Sequence, residues 1–125
     1  MEYEHACNLT SCGNCSQLDE IQTYFGLTLD VEGDKVMESR SLINMSMLTV
    51  RSLCVFSRYG ENYVVSKYCV KDYVWRRPVT DNNLTHTIHK CRNVLKESNT
   101  GFDVVNIRGF GYCLMNVNFN SGRIT

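Results

Sequence analysis

One segment concentrates the side chains able to recognise a ligand. Between positions 81 and 96, Asn82, His86, His89 and Asn93 recur on one side, with Lys90 and Lys96 on its flanks. At about 100° per residue these oppose Leu84, Ile88, Cys91 and Leu95, which fall within an arc of roughly 60°. The spacing predicts a helix with an apolar back and a front of hydrogen-bonding groups and positive charge, with no acid across 82–96. Ordinary solvent faces interleave Glu with Lys at i, i+4 spacing. In a DNA major groove, an Asn side chain can read adenine and a Lys can take guanine or phosphate. Taken alone, the same residues equally describe a solvated polar face.

A second group is Arg108-Gly109-Phe110-Gly111. Its glycines permit a tight turn, and Arg108 carries a cation to the tip, where a phosphate or a minor groove can meet it. A third is His5, Cys7, Cys12 and Cys15, spaced H-x-C-x4-C-x2-C. Those four are a zinc ligand set by type, but crowded: zinc sites usually draw ligand pairs from separated segments. A redox pair and incidental thiols are the alternatives. Cys54 and Cys91 fall at apolar helical positions, where free cysteine behaves as a small hydrophobe, and the odd total of seven suits a reducing compartment better than a disulfide scaffold.

The elements that must position these groups follow from periodicity. Residues 1–20 show no period and read as an irregular, cysteine-containing arm. From 21 to 36, Phe25, Leu27, Leu29 and Val31 alternate and predict strands, turning at Glu32-Gly33-Asp34. A short strand is expected within 40–44. Ser46 caps a helix through Tyr59, ended by Gly60. Tyr63-Val64-Val65 is a β-branched run, and Ser66 caps a second helix over 67–75. Pro78 breaks the chain. Thr80 or Asp81 opens the third helix, and 104–107 with 112–117 form a hairpin. Residues 119–125 remain as a tail. Two helices across a short turn, the second amphipathic, make a helix-turn-helix, and this arrangement favours the DNA reading of its polar front.

Composition sets the outer bounds. A chain of 125 residues, 43% hydrophobic and 21% charged, holds one domain and is not a disordered tail. No apolar run reaches the roughly 18 residues of a membrane span. The net charge is zero, yet residues 1–50 carry eight acids against two bases, and residues 51–125 carry eleven bases against five acids. The basic half can present a positive face to a polyanion. Enzymatic chemistry is not expected: Cys91 lies on the apolar stripe, while His86 and His89 point away from it. An oxidoreductase built on Cys12 and Cys15 would need a βαβ context that the pattern lacks.

With those residues in order, the chain resembles the winged-helix DNA-binding domain of OmpR/PhoB-type bacterial transcription regulators, in its ToxR-like branch. The likeness is carried by Tyr24-Phe25-Gly26-Leu27-Thr28-Leu29-Asp30, by Val64-Val65-Ser66 and Tyr73-Val74-Trp75, by Val79-Thr80-Asp81-Asn82-Asn83-Leu84-Thr85 leading to Ile88 and Arg92, and by Val105 to Tyr112 around the glycine turn. It covers about residues 21–118. The resemblance implies an α+β winged helix: an N-terminal antiparallel sheet, three helices and a C-terminal β-hairpin wing. It implies binding to double-stranded DNA at direct repeats or paired half-sites, with neither cofactor nor small-molecule substrate. By position it assigns base reading to Asn82, His86, His89 and Lys90. Phosphate contact falls to Arg92, Asn106 and Arg108, with the Trp75 backbone at the edge. The turn Arg76-Arg77-Pro78-Val79 sits where some relatives touch RNA polymerase.

The resemblance further implies a homodimer on DNA or a companion membrane protein. It implies the bacterial cytoplasm, as a free regulator or as the cytoplasmic part of a membrane-anchored one. No receiver domain is expected in the twenty residues ahead of the domain. His89 and Lys90 stand where the family usually has arginines, and Cys113 replaces a third basic residue. Fewer fixed charges predict weaker, less salt-dependent binding. Histidine titrates nearest neutral pH, so His86 and His89 predict pH-sensitive affinity. A protein-interaction winged helix, docking its acidic half on a basic partner, is the alternative function. For the cysteine arm, the incidental-thiol reading predicts that protein purified under reductant contains no near-stoichiometric zinc by elemental analysis.

Overall fold

Hydroxyl side chains start three of the helices. Ser46 Oγ accepts the Thr49 N–H at 3.2 Å, Ser66 Oγ that of Cys69 at 3.1 Å, and Thr80 Oγ1 that of Asn83 at 3.1 Å. Each satisfies an amide with no partner inside its own helix, as the sequence predicts. The computed structural model describes residues 17–32, 35–75 and 77–117. The expectations for His5, Cys7, Cys12, Cys15, Arg76 and the tail 119–125 lie outside those residues, as do Gly33 and Asp34 of the first predicted turn.

Among the described residues ten elements follow in order: α1 (Gln17–Phe25), β1 (Leu29–Glu32), β2 (Lys35–Glu38), β3 (Ile43–Met45), α2 (Met47–Tyr59), β4 (Val64–Ser66), α3 (Lys67–Val74), α4 (Asp81–Glu97), β5 (Phe102–Ile107) and β6 (Gly111–Asn116). The fold is α+β, with two three-stranded antiparallel sheets ordered β1-β2-β3 and β4-β6-β5. Among the described residues no helix is long and apolar enough to cross a membrane.

Two expectations are corrected. Residues 17–20 are not irregular, and 21–25 are not strand: both belong to α1, so the described residues contain four helices rather than three. Leu18, Ile21 and Phe25 are its buried positions, spaced for one helical face, with Asp19 and Glu20 favouring the first turn. The alternating run that suggested a strand shares Phe25 with this stripe and becomes extended only after Gly26. That residue ends the helix with φ of 71°, a conformation that suits glycine. The segment Tyr24 to Asp30, part of the run read above as strand, is therefore a helix end, a turn and the first residues of β1. The strand expected in 40–44 begins at Ile43, because Leu42 takes a positive φ of 58° and breaks extension before it.

Helix α2 lies at the centre of the core. Its Val50, Leu53, Val55 and Phe56 are almost wholly buried, and α1, α3 and α4 pack around it. The N-terminal sheet joins this core through Leu29, Val36 and Met45, and the second sheet through Val65, Tyr112, Leu114 and Val104.

One buried charge fastens the first sheet. Glu38 is 0% exposed. Its carboxylate accepts the Thr28 N–H at 3.0 Å, and the N–H and hydroxyl of Ser41 at 2.9 Å each. Arg40 Nε stands 3.7 Å away, and the Arg40 guanidinium also donates to the carbonyls of Gly26 and Ser98. The α1–β1 turn, the β2–β3 turn and the end of α4 thus meet around one carboxylate. Burial pushes its pKa up, but the bonds from Thr28 and Ser41 and the charge of Arg40 outweigh burial and hold it at about 2. A carboxyl group with its folded pKa lowered stabilises above its unfolded value and loses that contribution as pH falls toward the folded one. Thermal stability is therefore expected to fall between about pH 4.5 and 2. Glu38→Gln should cost about 1–3 kcal/mol at neutral pH and flatten that acid limb, as read by thermal melts across pH.

Candidate nucleic-acid interface

The predicted recognition segment is helix α4, and its two sides differ as the spacing requires. Leu84, Ile88, Cys91 and Leu95 are buried, joined by Thr87 and Val94. Burial pushes the Cys91 thiol up to about 12, and its Sγ faces the Thr49 carbonyl 3.7 Å away. It is a core side chain with no thiolate character near neutral pH. Asn82, His86, His89, Lys90, Asn93 and Lys96 are all exposed. The helix runs one residue past the predicted end. That residue, Glu97, is exposed one turn beyond Asn93, so the polar front does end on an acid.

Shallow hollows border this front. Asn82, Thr85, His86 and His89 line one at the start of α4. Lys90 and Asn93 share a second with Lys35 and Met45 of the first sheet and Met47 of α2. His89, Arg92 and Lys96 share a third with Phe102 and Asp103. Helix α4 is thereby bordered by a hollow on either side.

The hairpin β5–β6 carries Arg108 at its tip, exposed to solvent. The turn closes through the Phe110 N–H on the Ile107 carbonyl at 2.9 Å, with Gly109 at φ of 75°. Gly111 is required for a different reason. A Cβ there would lie 2.0 Å from the Val65 carbonyl oxygen and 2.8 Å from Ser66 Cα. The turn end of the hairpin therefore presses directly on the junction of β4 and α3.

Lys67, the first residue of α3, connects the parts. Its backbone N–H donates to the Phe110 carbonyl at 3.0 Å, and its Nζ meets Asp81 Oδ2 at 3.0 Å. One residue thus bridges the hairpin tip and the first turn of α4. Lys71, one turn further along α3, donates to the other Asp81 oxygen. The bonds from Lys71 and Lys67 lower the Asp81 pKa, and Asp81 raises that of Lys67. The exposed ring of Tyr68 lies 5.5 Å from Lys67 Nζ and 6.0 Å from Lys71 Nζ.

Of the phosphate candidates, Arg108 and Asn106 are exposed on the hairpin. Arg92 is held in a two-pronged pair with Asp103 of β5, Nε to Oδ1 at 2.9 Å and Nη2 to Oδ2 at 3.2 Å, which raises its pKa. In the free protein it clasps α4 to the hairpin. Arg77 is exposed in the turn before α4. Trp75 is buried, its N–H closing α3 on the Lys71 carbonyl at 2.9 Å.

Lys67, Tyr68 and Lys71 were not anticipated. Their signal was present: two lysines at i, i+4 at the head of a capped helix. Their relevance depends on where the hairpin tip and α4 come to rest. Among the described residues no group of three or more His, Cys, Asp or Glu could hold a metal ion. No protein-family model and no curated protein matches the chain. Gly111→Ala is expected to destabilise the fold by at least about 2 kcal/mol, because backbone rather than a flexible side chain must give way; chemical denaturation measures it.

Proposed function

We propose that this protein is a winged-helix, sequence-specific regulator of transcription that binds double-stranded DNA and has no catalytic role. Helices α2, α3 and α4 act as the three helices of that fold, with α3 and α4 as its helix-turn-helix and β5–β6 as its wing. Helix α4 enters the major groove, where Asn82, His86, His89 and Lys90 read bases. The wing lies on the backbone or in the adjacent minor groove, with Arg108 and Asn106 on phosphate or sugar. The OmpR/PhoB-type, ToxR-like assignment rests on the sequence resemblance. With it come the bacterial cytoplasm, RNA polymerase as a contact of the turn at Arg76 and Arg77, and a homodimer or a membrane companion as partner.

One observation carries the proposal. The Lys67 bridge joins the Arg108 loop to the N-terminal turn of α4, while the polar front of α4 is exposed beside it. A duplex laid along that front passes the loop. A protein-interaction module is the second reading, favoured by the exposed aromatic rings of Tyr63, Tyr68 and Phe110.

Electrophoretic and anisotropy measurements with a genomic DNA pool separate the two. Arg108→Ala should weaken binding to every sequence and reduce the salt slope by about 1. Asn82→Ala or His86→Ala should relax preference at one base pair by about 1–3 kcal/mol, with smaller effects on general affinity. Absence of DNA retention by the wild type at about 50 mM salt, where even non-specific binding is strong, overturns the proposal.

A further inference from the structure

We propose that Asp81 is a specificity-determining residue: its carboxylate withholds Lys67 and Lys71 from DNA phosphates and so suppresses binding to random sequence. The inference rests on the DNA-binding function above and deepens it. The geometry is a triad at the place where three elements converge. Both lysines reach the same carboxylate from successive turns of α3, and the backbone of the first is bonded to the wing tip. The Asp81 side chain is 63% exposed, whereas those of Lys67 and Lys71 are 30% and 17% exposed. The acid is thus the most accessible of the three, so a phosphate approaching the lysines also meets its negative charge. Asp81 immediately precedes Asn82, the first base-reading candidate, so the triad and the reading face approach a duplex together.

The physical consequence concerns competition. Exposed ion pairs hold weakly, so the triad can open when something better is offered. A random duplex offers only phosphate, and it must displace an internal carboxylate to gain each lysine. A cognate site adds base contacts along α4, and these offset the opening. Specificity is a difference between two affinities, and raising the cost of the wrong partner serves it as well as improving the right one. Arg92 with Asp103 repeats the arrangement about three turns further along α4. Three cations around the reading helix are therefore already matched by acids of the same chain.

The test uses the full chain and a random-sequence duplex, with affinity followed from about 50 to 300 mM salt. Each phosphate neutralised contributes roughly 0.9 to the slope of log affinity against log salt. Asp81→Asn frees two lysines, so the slope should steepen by about 2, and affinity for the random duplex at low salt should rise several-fold. Asp81→Ser, whose hydroxyl still suits a helix start, should steepen the slope in the same way, which keeps the test open should Asp81→Asn fail to fold. An unchanged slope in either folded variant overturns the proposal. Wild type that binds DNA while a folded variant keeps its slope fails the Asp81 proposal alone. Absence of binding by the wild type at about 50 mM salt overturns the DNA-binding function and this inference together.

Discussion

The apolar stripe of α4 has one place to go, against α2, and the rest of the molecule depends on that contact. Leu84, Ile88, Cys91 and Leu95 are shielded from water almost completely. Burying a Leu or Ile side chain contributes roughly 1.5–3 kcal/mol, so rotation of the helix about its axis would expose several such contributions at once. The stripe therefore fixes the opposite side as well. Asn82, His86, His89, Lys90 and Asn93 face solvent because their neighbours at helical spacing cannot. The apolar back determines which side is presented; the hairpin and α3 determine what lies next to it.

That neighbourhood depends on a shortage of space. Gly111 crosses the β4–α3 junction where no Cβ fits, so the hairpin cannot slide away from α3 without losing its pairing with Val65 and Ser66. Lys67 then holds the hairpin tip with its backbone and the start of α4 with its side chain. Arg92 and Asp103 clasp the middle of α4 to the edge strand β5. These contacts set the relation between the exposed helix face and the Arg108 loop.

Electrostatics in the folded chain differ from the count along it. The second half of the sequence has a surplus of bases. Two of its acids, Asp81 and Asp103, lie against Lys67, Lys71 and Arg92. The positive character next to α4 is correspondingly muted, and Arg92 shares its charge with Asp103. Glu38 shows the opposite situation in the first sheet. It is a buried carboxylate that stays ionised because backbone amides, a hydroxyl and Arg40 all turn toward it. Alternation places it on the face of Val36, but Met37 on the other face is equally apolar, so its neighbours do not say which face is buried.

Local chemistry was legible along the chain. Ser46, Ser66 and Thr80 announce helices because a hydroxyl at the start of a helix accepts a free amide two or three residues ahead. The helical stripe of α4 and the glycine turn after Arg108 are equally short-range patterns. Helix α1 was misread because an alternating run and a helical stripe share Phe25, and propensity cannot choose between periods that overlap on so few residues. Which carboxylate meets which cation was decided only by the tertiary structure. Asp81 and Lys67 are fourteen positions apart, Arg92 and Asp103 eleven, and each pair exists only because packing brings separate elements together. Side-chain type and spacing determine the faces of each element. The distances between faces belong to the core that packs them, and no local pattern contains that information.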